Sequence, residues 1–511
     1  VLTAVLLLAA GCDLGPDYKR PELEIPQAYP ATAETAAKAW PEPEWWRGFD
    51  SPDLNDLIAQ ARQNNFDIQA AIARVEQADA QVRISGAPLL PTVTGTGSYQ
   101  WSRTGTGRGF SNGLGTSSLA SSSLATSSAA TAGTTTGTTL TSLTSTSGSG
   151  KSHYVETRTP SLTLGVSYEL DFWGRLRAQQ DSAEASAMYS RFDQETVALT
   201  TVTSVANTWF QALAFQDRVD VAERNLRDAT EILDAIRGRL SVGTASELDV
   251  SQQAALVAGI RASLPGLRSQ LAQQVNGLGI LVGRSPQSLS VHPGTLNALS
   301  LPEVGPGVPS ELLQRRPDIA SAEAQLIAAT ADIRSARANF FPQITLTGSG
   351  GVESTALTSL FSPGSMLLSL TGQAAQTIFD NGLKGGQYDQ YKGKRDELVA
   401  DYRKAVVQAF TDVQNGLDTY RLATEQEALE REAVRTAQRA ADIAKAQVAA
   451  GTSDIVTALQ AENTLFSDLD TLAQVRLSRF QALLNLYKAL GGGWKQSDVP
   501  VPPSSIYHGV L

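Results

Sequence analysis

Ser161-Leu162-Thr163-Leu164-Gly165-Val166-Ser167-Tyr168-Glu169-Leu170 alternates without a break, with polar or small residues at odd positions and apolar ones at even positions. A period of two belongs to a β-strand whose two faces meet different surroundings. Leu162, Leu164, Val166 and Tyr168 share one face. About ten residues is the length of a tilted strand crossing a bilayer, apolar toward lipid and polar toward a lumen. A soluble sandwich alternates in the same way, so the pattern alone leaves both architectures open.

Three more segments carry the same signature. After Pro91, residues Val93, Gly95, Gly97, Tyr99 and Trp101 oppose Thr94, Thr96, Ser98 and Gln100. Later, Ile344, Leu346 and Gly348 oppose Thr345, Thr347 and Ser349, and Leu368 and Leu370 oppose Ser369, Thr371 and Gln373. Strands are therefore expected at about 92–102, 160–171, 343–352 and 366–378. Four strands have two open edges, and lipid offers no partner to an unpaired backbone group. In a membrane the sheet must close against other copies of the chain. Two copies give eight strands around a filled interior, three give twelve around a passage, and three is the expectation.

The strand pairs sit inside an internal duplication. At an offset of 251, Asp67-Ile68 meets Asp318-Ile319, Ala80 meets Ala331, Arg83 meets Arg334, Pro91 meets Pro342, and Gly97-Ser98 meets Gly348-Ser349. A weaker echo pairs Gly243-Thr244 with Gly451-Thr452. Each half thus reads helix, strand pair, long helices. The long runs, Ser182–Ile236 and Asp389–Ala450, are Ala-rich and exceed ordinary globular helices. Sixty residues of continuous helix would reach about 90 Å. In the second run Leu422, Leu429, Ala433, Ala437, Ala440, Ala441, Ala444 and Val448 recur at steps that are mostly three or four residues, a small-residue stripe for neighbouring helices.

The chain opens on an apolar run, Val1–Ala10, that stops at Gly11-Cys12 and is too short to span a bilayer. Small residues before the single cysteine suit a lipoprotein peptidase, which would leave Cys12 acylated, although Ala9 and Asp13 depart from the commonest lipobox residues. A buried structural cysteine is the alternative. The 511 residues carry a net charge of -10 with 42% hydrophobic residues, and no basic run interleaved with aromatics, so no nucleic-acid partner is expected. One cysteine and three histidines, His153, His292 and His508, leave no disulfide and no metal cluster at ligand spacing, so no metal or cofactor is expected. P-loop, nucleophile-elbow and His-containing zinc motifs are missing from the sequence, so no enzyme is expected. The tract Ser111–Gly150 is almost wholly Ser, Thr, Gly, Ala and Leu, which reads as a flexible loop or, alternatively, a glycosylated or adhesive surface segment.

Gly15-Pro16-Asp17-Tyr18-Lys19-Arg20-Pro21, Trp45-Trp46, Arg316-Pro317-Asp318-Ile319, Asn339-Phe340-Phe341-Pro342 and Leu486–Trp494 are the residues on which the sequence resembles the outer membrane factors, TolC/OprM-type efflux channels, in their lipoprotein branch. The resemblance implies a mainly α fold with a membrane β-barrel: a trimeric α-helical barrel continuous with a twelve-stranded outer-membrane barrel, four strands per chain. It implies a homotrimer lipid-anchored in the outer membrane, in contact with outer-membrane lipid, a periplasmic adaptor protein and an inner-membrane RND-type pump. The chain then divides into 1–12, the signal peptide end and lipobox; 13–50, the N-terminal extension and equatorial segment; 51–300 and 301–494, the two repeats; and 495–511, the tail. Residues 103–157 form a flexible extracellular loop within the first repeat.

In the family a constriction lies just after the glycine corresponding to Gly451. On that alignment the gate residues are Val456, Gln460 and Asn463, with amides where relatives place an acid and an arginine. The alternative is that Val456 and Gln460 only pack the coil. Gly243, Thr244, Gly451 and Thr452 mark the hairpin tips that an adaptor would touch. The function implied is a passive, gated channel exporting drugs or other small molecules. A type I protein-secretion channel and an adhesive surface tube are the alternatives.

Overall fold

The computed structural model describes residues 15–23, 40–106, 153–289, 294–302, 304, 309–450 and 452–499. Cys12, Gly451, the tract 107–152 and the tail beyond 499 lie outside the described residues. The chain divides into a helical unit and a smaller unit of Pro91–Glu169 with Ile344–Gln373.

The helical unit repeats one plan twice. In the first half α1 (Pro52–Asn64) is capped by Ser51, whose hydroxyl accepts the Leu54 N–H, and α2 (Phe66–Gly86) by Asn65, whose carbonyl accepts from Asp67 and Ile68. After the strands come α3 (Arg175–Ser241) and α4 (Glu247–Val282). The second half brings α5 (Pro317–Ala338), then α6 (Leu383–Ala449) and α7 (Ile455–Ala489). Both long helices, α3 and α6, have 67 residues, and each starts six or more residues before the run expected at 182–236 or 389–450. Each is preceded by a glycine in the left-handed region, Gly174 or Gly382. Each is also capped by an aspartate: Asp171 accepts from the N–H groups of Leu176 and Arg177, and Asp380 from those of Gly382 and Lys384. These caps lie outside the Ala-rich runs, which is why periodicity placed the helix starts too late.

The core sits where the start and end of the helical unit meet. Trp45 stacks on Tyr487 at 4.6 Å between ring centroids, Phe49 meets Phe210 edge-on at 4.9 Å, and Phe210 meets Phe480 at 5.0 Å. The family tryptophans and the C-terminal helix are thus one aromatic cluster. The small-residue stripe of α6 is split. Ala437, Ala441 and Ala444 are buried within the chain, whereas Leu422, Leu429, Ala433 and Ala440 are exposed. No helix among the described residues is long and apolar enough to cross a membrane.

The smaller unit is a four-stranded sheet in the order β1-β2-β3-β4: β1 (Thr92–Thr106), β2 (His153–Leu170), β3 (Gln343–Glu353) and β4 (Met366–Ala375). The antiparallel register runs from Thr92 opposite Ser167 to Thr106 opposite His153. It sets Val93 opposite Val166 on one face, and Ser98 opposite Ser161 with hydroxyls 2.7 Å apart on the other. The duplicate of that pair, Ser349 with Ser369, is also at 2.7 Å. Burial is inverted relative to a water-soluble sheet: Leu164 is 57% exposed and Leu370 84%, and among the described residues no apolar layer covers them.

Two strand boundaries are corrected. The expected loop 103–157 begins and ends as strand, because the ladder continues past Trp101 through residues with no apolar alternation, held by pairing and by Arg103 at 3.7 Å from Glu156. At the other end β4 stops at Ala375, not 378. The Gln376 side chain donates to the Phe340 carbonyl at 2.8 Å, and Ile378 is almost fully exposed.

Candidate functional site: the hairpin ends

The two long hairpins end in turns built alike. In the first, Gly243 takes φ +78°, and Thr244 donates both its N–H and its hydroxyl to the Arg239 carbonyl, at 2.9 and 3.1 Å. In the second, Thr452 donates its N–H and hydroxyl to the Gln447 carbonyl at 2.9 and 3.2 Å. A threonine closes each helix C-terminus by satisfying one carbonyl twice. The next helices start on acidic caps. Ser246 and Asp249 form a capping box on α4, and Asp454 accepts from the N–H and hydroxyl of Thr457 on α7. Those bonds hold the Asp454 carboxyl below its usual range. Thr244 and Thr452 are both exposed, so of the expected docking residues these two present their surfaces at the turns, together with Gly243.

Val456, Gln460 and Asn463 lie on α7 at spacings of four and three, and all three are exposed. One helical face therefore carries them. The opposite face packs inward through Ala458, Leu459 and Glu462. Glu462, the acid nearest the exposed stripe, is only 4% exposed and is 3.1 Å from the Lys445 ammonium of α6. Burial pushes its carboxyl up and Lys445 pulls it back down. That acid is committed to holding α7 on α6, so the exposed stripe is neutral.

Three ties between helices were not legible in the sequence. The Arg239 guanidinium donates to the Val448 carbonyl at 2.8 Å, joining the two hairpins beside their turns. Glu427 of α6 is 1% exposed and accepts from Arg431 at 2.6 Å, Arg476 at 3.0 Å and Arg479 at 2.8 Å. Arg316 donates to Asp318, to Asp412 at 3.0 Å and to the Ala489 carbonyl, tying α5 to α6 and the end of α7. Only Glu427 with Arg431 leaves a local signal, four residues apart on one helix. Among the described residues no group of three or more His, Cys, Asp or Glu is placed to hold a metal ion.

Residues 57–284 and 308–492 match the family described as outer membrane efflux protein, so the two matched blocks fall on the two repeats. The chain belongs to the outer membrane efflux protein family. Over 503 residues, 98% of this chain and 97% of the relative, it is 35% identical to the pyoverdine export outer membrane protein OpmQ of Pseudomonas aeruginosa. It is 33% identical to the toluene efflux pump outer membrane protein TtgC of Pseudomonas putida, over 96% of this chain and 95% of the relative. Among solved structures, the outer-membrane channel OprN superposes with a TM-score of 0.82 at 26% identity, covering 94% of this chain and 100% of that one. The family is one of efflux channels, not enzymes. The protein is accordingly an outer-membrane component of an efflux system, mainly helical with four strands per chain.

Proposed function

We propose that the chain is the passive, gated exit duct of a tripartite pump that expels small molecules. The observation that carries this is end-to-end similarity to OpmQ, TtgC and the cation efflux system protein CusC of Escherichia coli, whose names state pyoverdine export, toluene efflux and cation efflux. Three copies close twelve strands into a barrel with Leu162, Leu164, Val166 and Tyr168 toward lipid, which removes the open edges of β1 and β4. Acylated Cys12 anchors each copy. The turns at Gly243-Thr244 and Gly451-Thr452 dock a periplasmic adaptor, which joins the duct to an inner-membrane RND-type pump. The energy comes from that pump and substrate choice lies with it. Deleting the gene with the pump present sensitises cells to small toxic compounds, and the purified protein images as a threefold hollow cylinder. Unchanged susceptibility across a broad drug and metal panel overturns the efflux reading, and a compact monomer overturns the duct.

The gate is the ring of Val456, Gln460 and Asn463. Three amides give neutral hydrogen bonds, whereas three carboxylates focus and bind cations. Millimolar divalent cations leave the single-channel current through the native protein nearly unchanged, and Gln460→Glu introduces block that deepens at least severalfold. Strong divalent block of the native channel that Gln460→Ala removes would show that the ring is not neutral.

A further inference from the structure

Four helices of the helical unit stand in a row, α2 beside α3, α3 beside α5, and α5 beside α6. All four line one cavity of about 390 Å³. A row of helices converges on one volume only from its concave side. On α5 the lining residues Asp332, Ser335 and Asn339 are three and four residues apart, and on α3 Gln179, Ser182 and Ser186 repeat that spacing, so each set is one helical face. Gln81 of α2 and Tyr391 of α6 stand at the two ends of the row. The other face of α5 is already taken. Glu323 is 4% exposed and accepts from the Tyr18 hydroxyl at 2.8 Å and from two nitrogens of Arg20, both at 2.7 Å. Nine residues separate Glu323 from Asp332, two and a half turns at about 3.6 residues per turn, which sets them on opposite sides of the helix. The cavity therefore opens away from the N-terminal segment.

Its charge is unbalanced. Asp332 is the only acidic or basic side chain in the lining, and among the described residues no ion pair joins it. Burial pushes its carboxyl up, and a hydrogen bond from the Ser182 hydroxyl brings it part of the way back. A half-buried carboxylate with no cation beside it costs stability, and an acid kept at that cost inside a cleft marks a ligand site. Packing does not require the acid. At the offset of 251, Asp332 corresponds to Gln81, between the kept pairs Ala80 with Ala331 and Arg83 with Arg334, so the equivalent helix folds with an amide there. The rest of the lining is mostly neutral hydroxyls and amides, and the Tyr391 side chain adds an aromatic wall. One carboxylate balances one positive charge, whereas a calcium-type ion gathers several acidic oxygens, and among the described residues no group of three or more His, Cys, Asp or Glu is placed to do so. An ammonium has three N–H donors for carboxylate, hydroxyl and amide oxygens, and it is attracted to the face of an aromatic ring.

We propose that the cavity between α2, α3, α5 and α6 binds small organic molecules that carry one protonated amine, with Asp332 holding the ammonium and Tyr391 lying against the body of the molecule. Small-molecule sites span about 300–1,000 Å³, and this volume falls inside that range. The proposal rests on the duct reading for one point, that the concave side of the row is the wall of the passage. There the cavity is a stopping place for one class of cargo. Binding is weak, with a Kd of about 1 mM, because a conduit has to release what it holds.

The test uses the full-length protein in detergent, phenethylammonium chloride as the probe and phenethyl alcohol as its uncharged twin, with binding read by saturation-transfer NMR. The native protein binds the ammonium with a Kd of about 1 mM and the alcohol at least tenfold more weakly. Asp332→Asn keeps the shape of the side chain and weakens ammonium binding at least tenfold. Adding Gln81→Asp to that variant returns a negative charge from across the cavity and restores binding at least threefold. Tyr391→Leu weakens binding severalfold. Gln81→Lys sets a cation opposite Asp332 and abolishes binding, which decides the matter even where Asp332→Asn fails to fold. Equal affinity for the ammonium and the alcohol, or ammonium binding left unmoved by Asp332→Asn or by Gln81→Lys, overturns the site. Displacement of the probe by equimolar magnesium ion assigns the cavity to a metal and overturns the amine. Imaging the same sample keeps the two readings apart. A threefold hollow cylinder that binds no ammonium removes the site and leaves the duct standing, whereas a compact monomer that binds it removes the duct and with it the place of the site in a passage.

Discussion

Glu427→Gln is expected to unfold the middle of the helical unit, lowering stability by about 3–5 kcal/mol per chain, the range for breaking a buried ion pair on one side. The carboxylate is 1% exposed and three guanidinium groups from α6 and α7 converge on it. Arg476 and Arg479 are themselves largely buried, with side-chain exposures of 18% each. Removing that negative charge leaves Arg476 and Arg479, both mostly buried, without it, while Arg431 is 47% exposed and can turn to water. The Arg479 guanidinium also stands 5.7 Å from the Tyr420 ring, which fixes its direction and hinders a swing outward. Burial and charge loss thus act together. Urea unfolding of the detergent-solubilised protein reads the effect, and a decrease below about 1 kcal/mol would mean that the arginines relax to solvent. A triple change of Glu427→Met, Arg476→Leu and Arg479→Met should recover most of the loss, because apolar groups of similar volume need no partner.

That cluster marks the boundary of what the sequence displays. Alternation in β2 and the small-residue stripe of α6 are local patterns, so strands, long helices and the duplication could be read directly from residue order. Val456, Gln460 and Asn463 were singled out by the family resemblance and not by a local pattern; the helix places the three, all exposed, on one face. Arg20 with Glu323 is different. Their partnership spans 303 residues, and each looks alone like an ordinary charged residue near a turn or on a helix face. Arg239 with the Val448 carbonyl is harder still, since one partner is backbone. The ends of β1 and β2 escaped because Arg103 and Glu156 extend the ladder through charge, with no hydrophobic period to announce it. What sequence order conceals here is therefore the set of ties that register one half of the chain on the other.

Gly491→Ala should be nearly as damaging as loss of Glu427, although it adds only a methyl group. Gly491, Gly492 and Gly493 hold φ values of +82°, +58° and +81°, a turn that leads the chain from α7 back across the helical unit. Left-handed backbone alone costs an L-residue about 1–2 kcal/mol. At Gly491 a Cβ would also overlap the Arg315 carbonyl, which is backbone and cannot rotate aside. The next residue, Arg316, is tied to Asp318, Asp412 and the Ala489 carbonyl, so a shift there is resisted from three directions. The combined loss should reach about 4 kcal/mol or more, the range associated with strain plus overlap in a packed site. Gly174→Ala supplies the control. Its φ is +72°, close to that of Gly491, but nothing lies within 4 Å of the added Cβ. Only the backbone component should appear there, about 1–2 kcal/mol. Equal losses at the two positions would mean that handedness alone matters at the turn, and that the close approach to Arg315 is relieved at little expense. A loss at least twice as large at Gly491 would assign the glycine to that contact, and through it to the junction where both repeats meet.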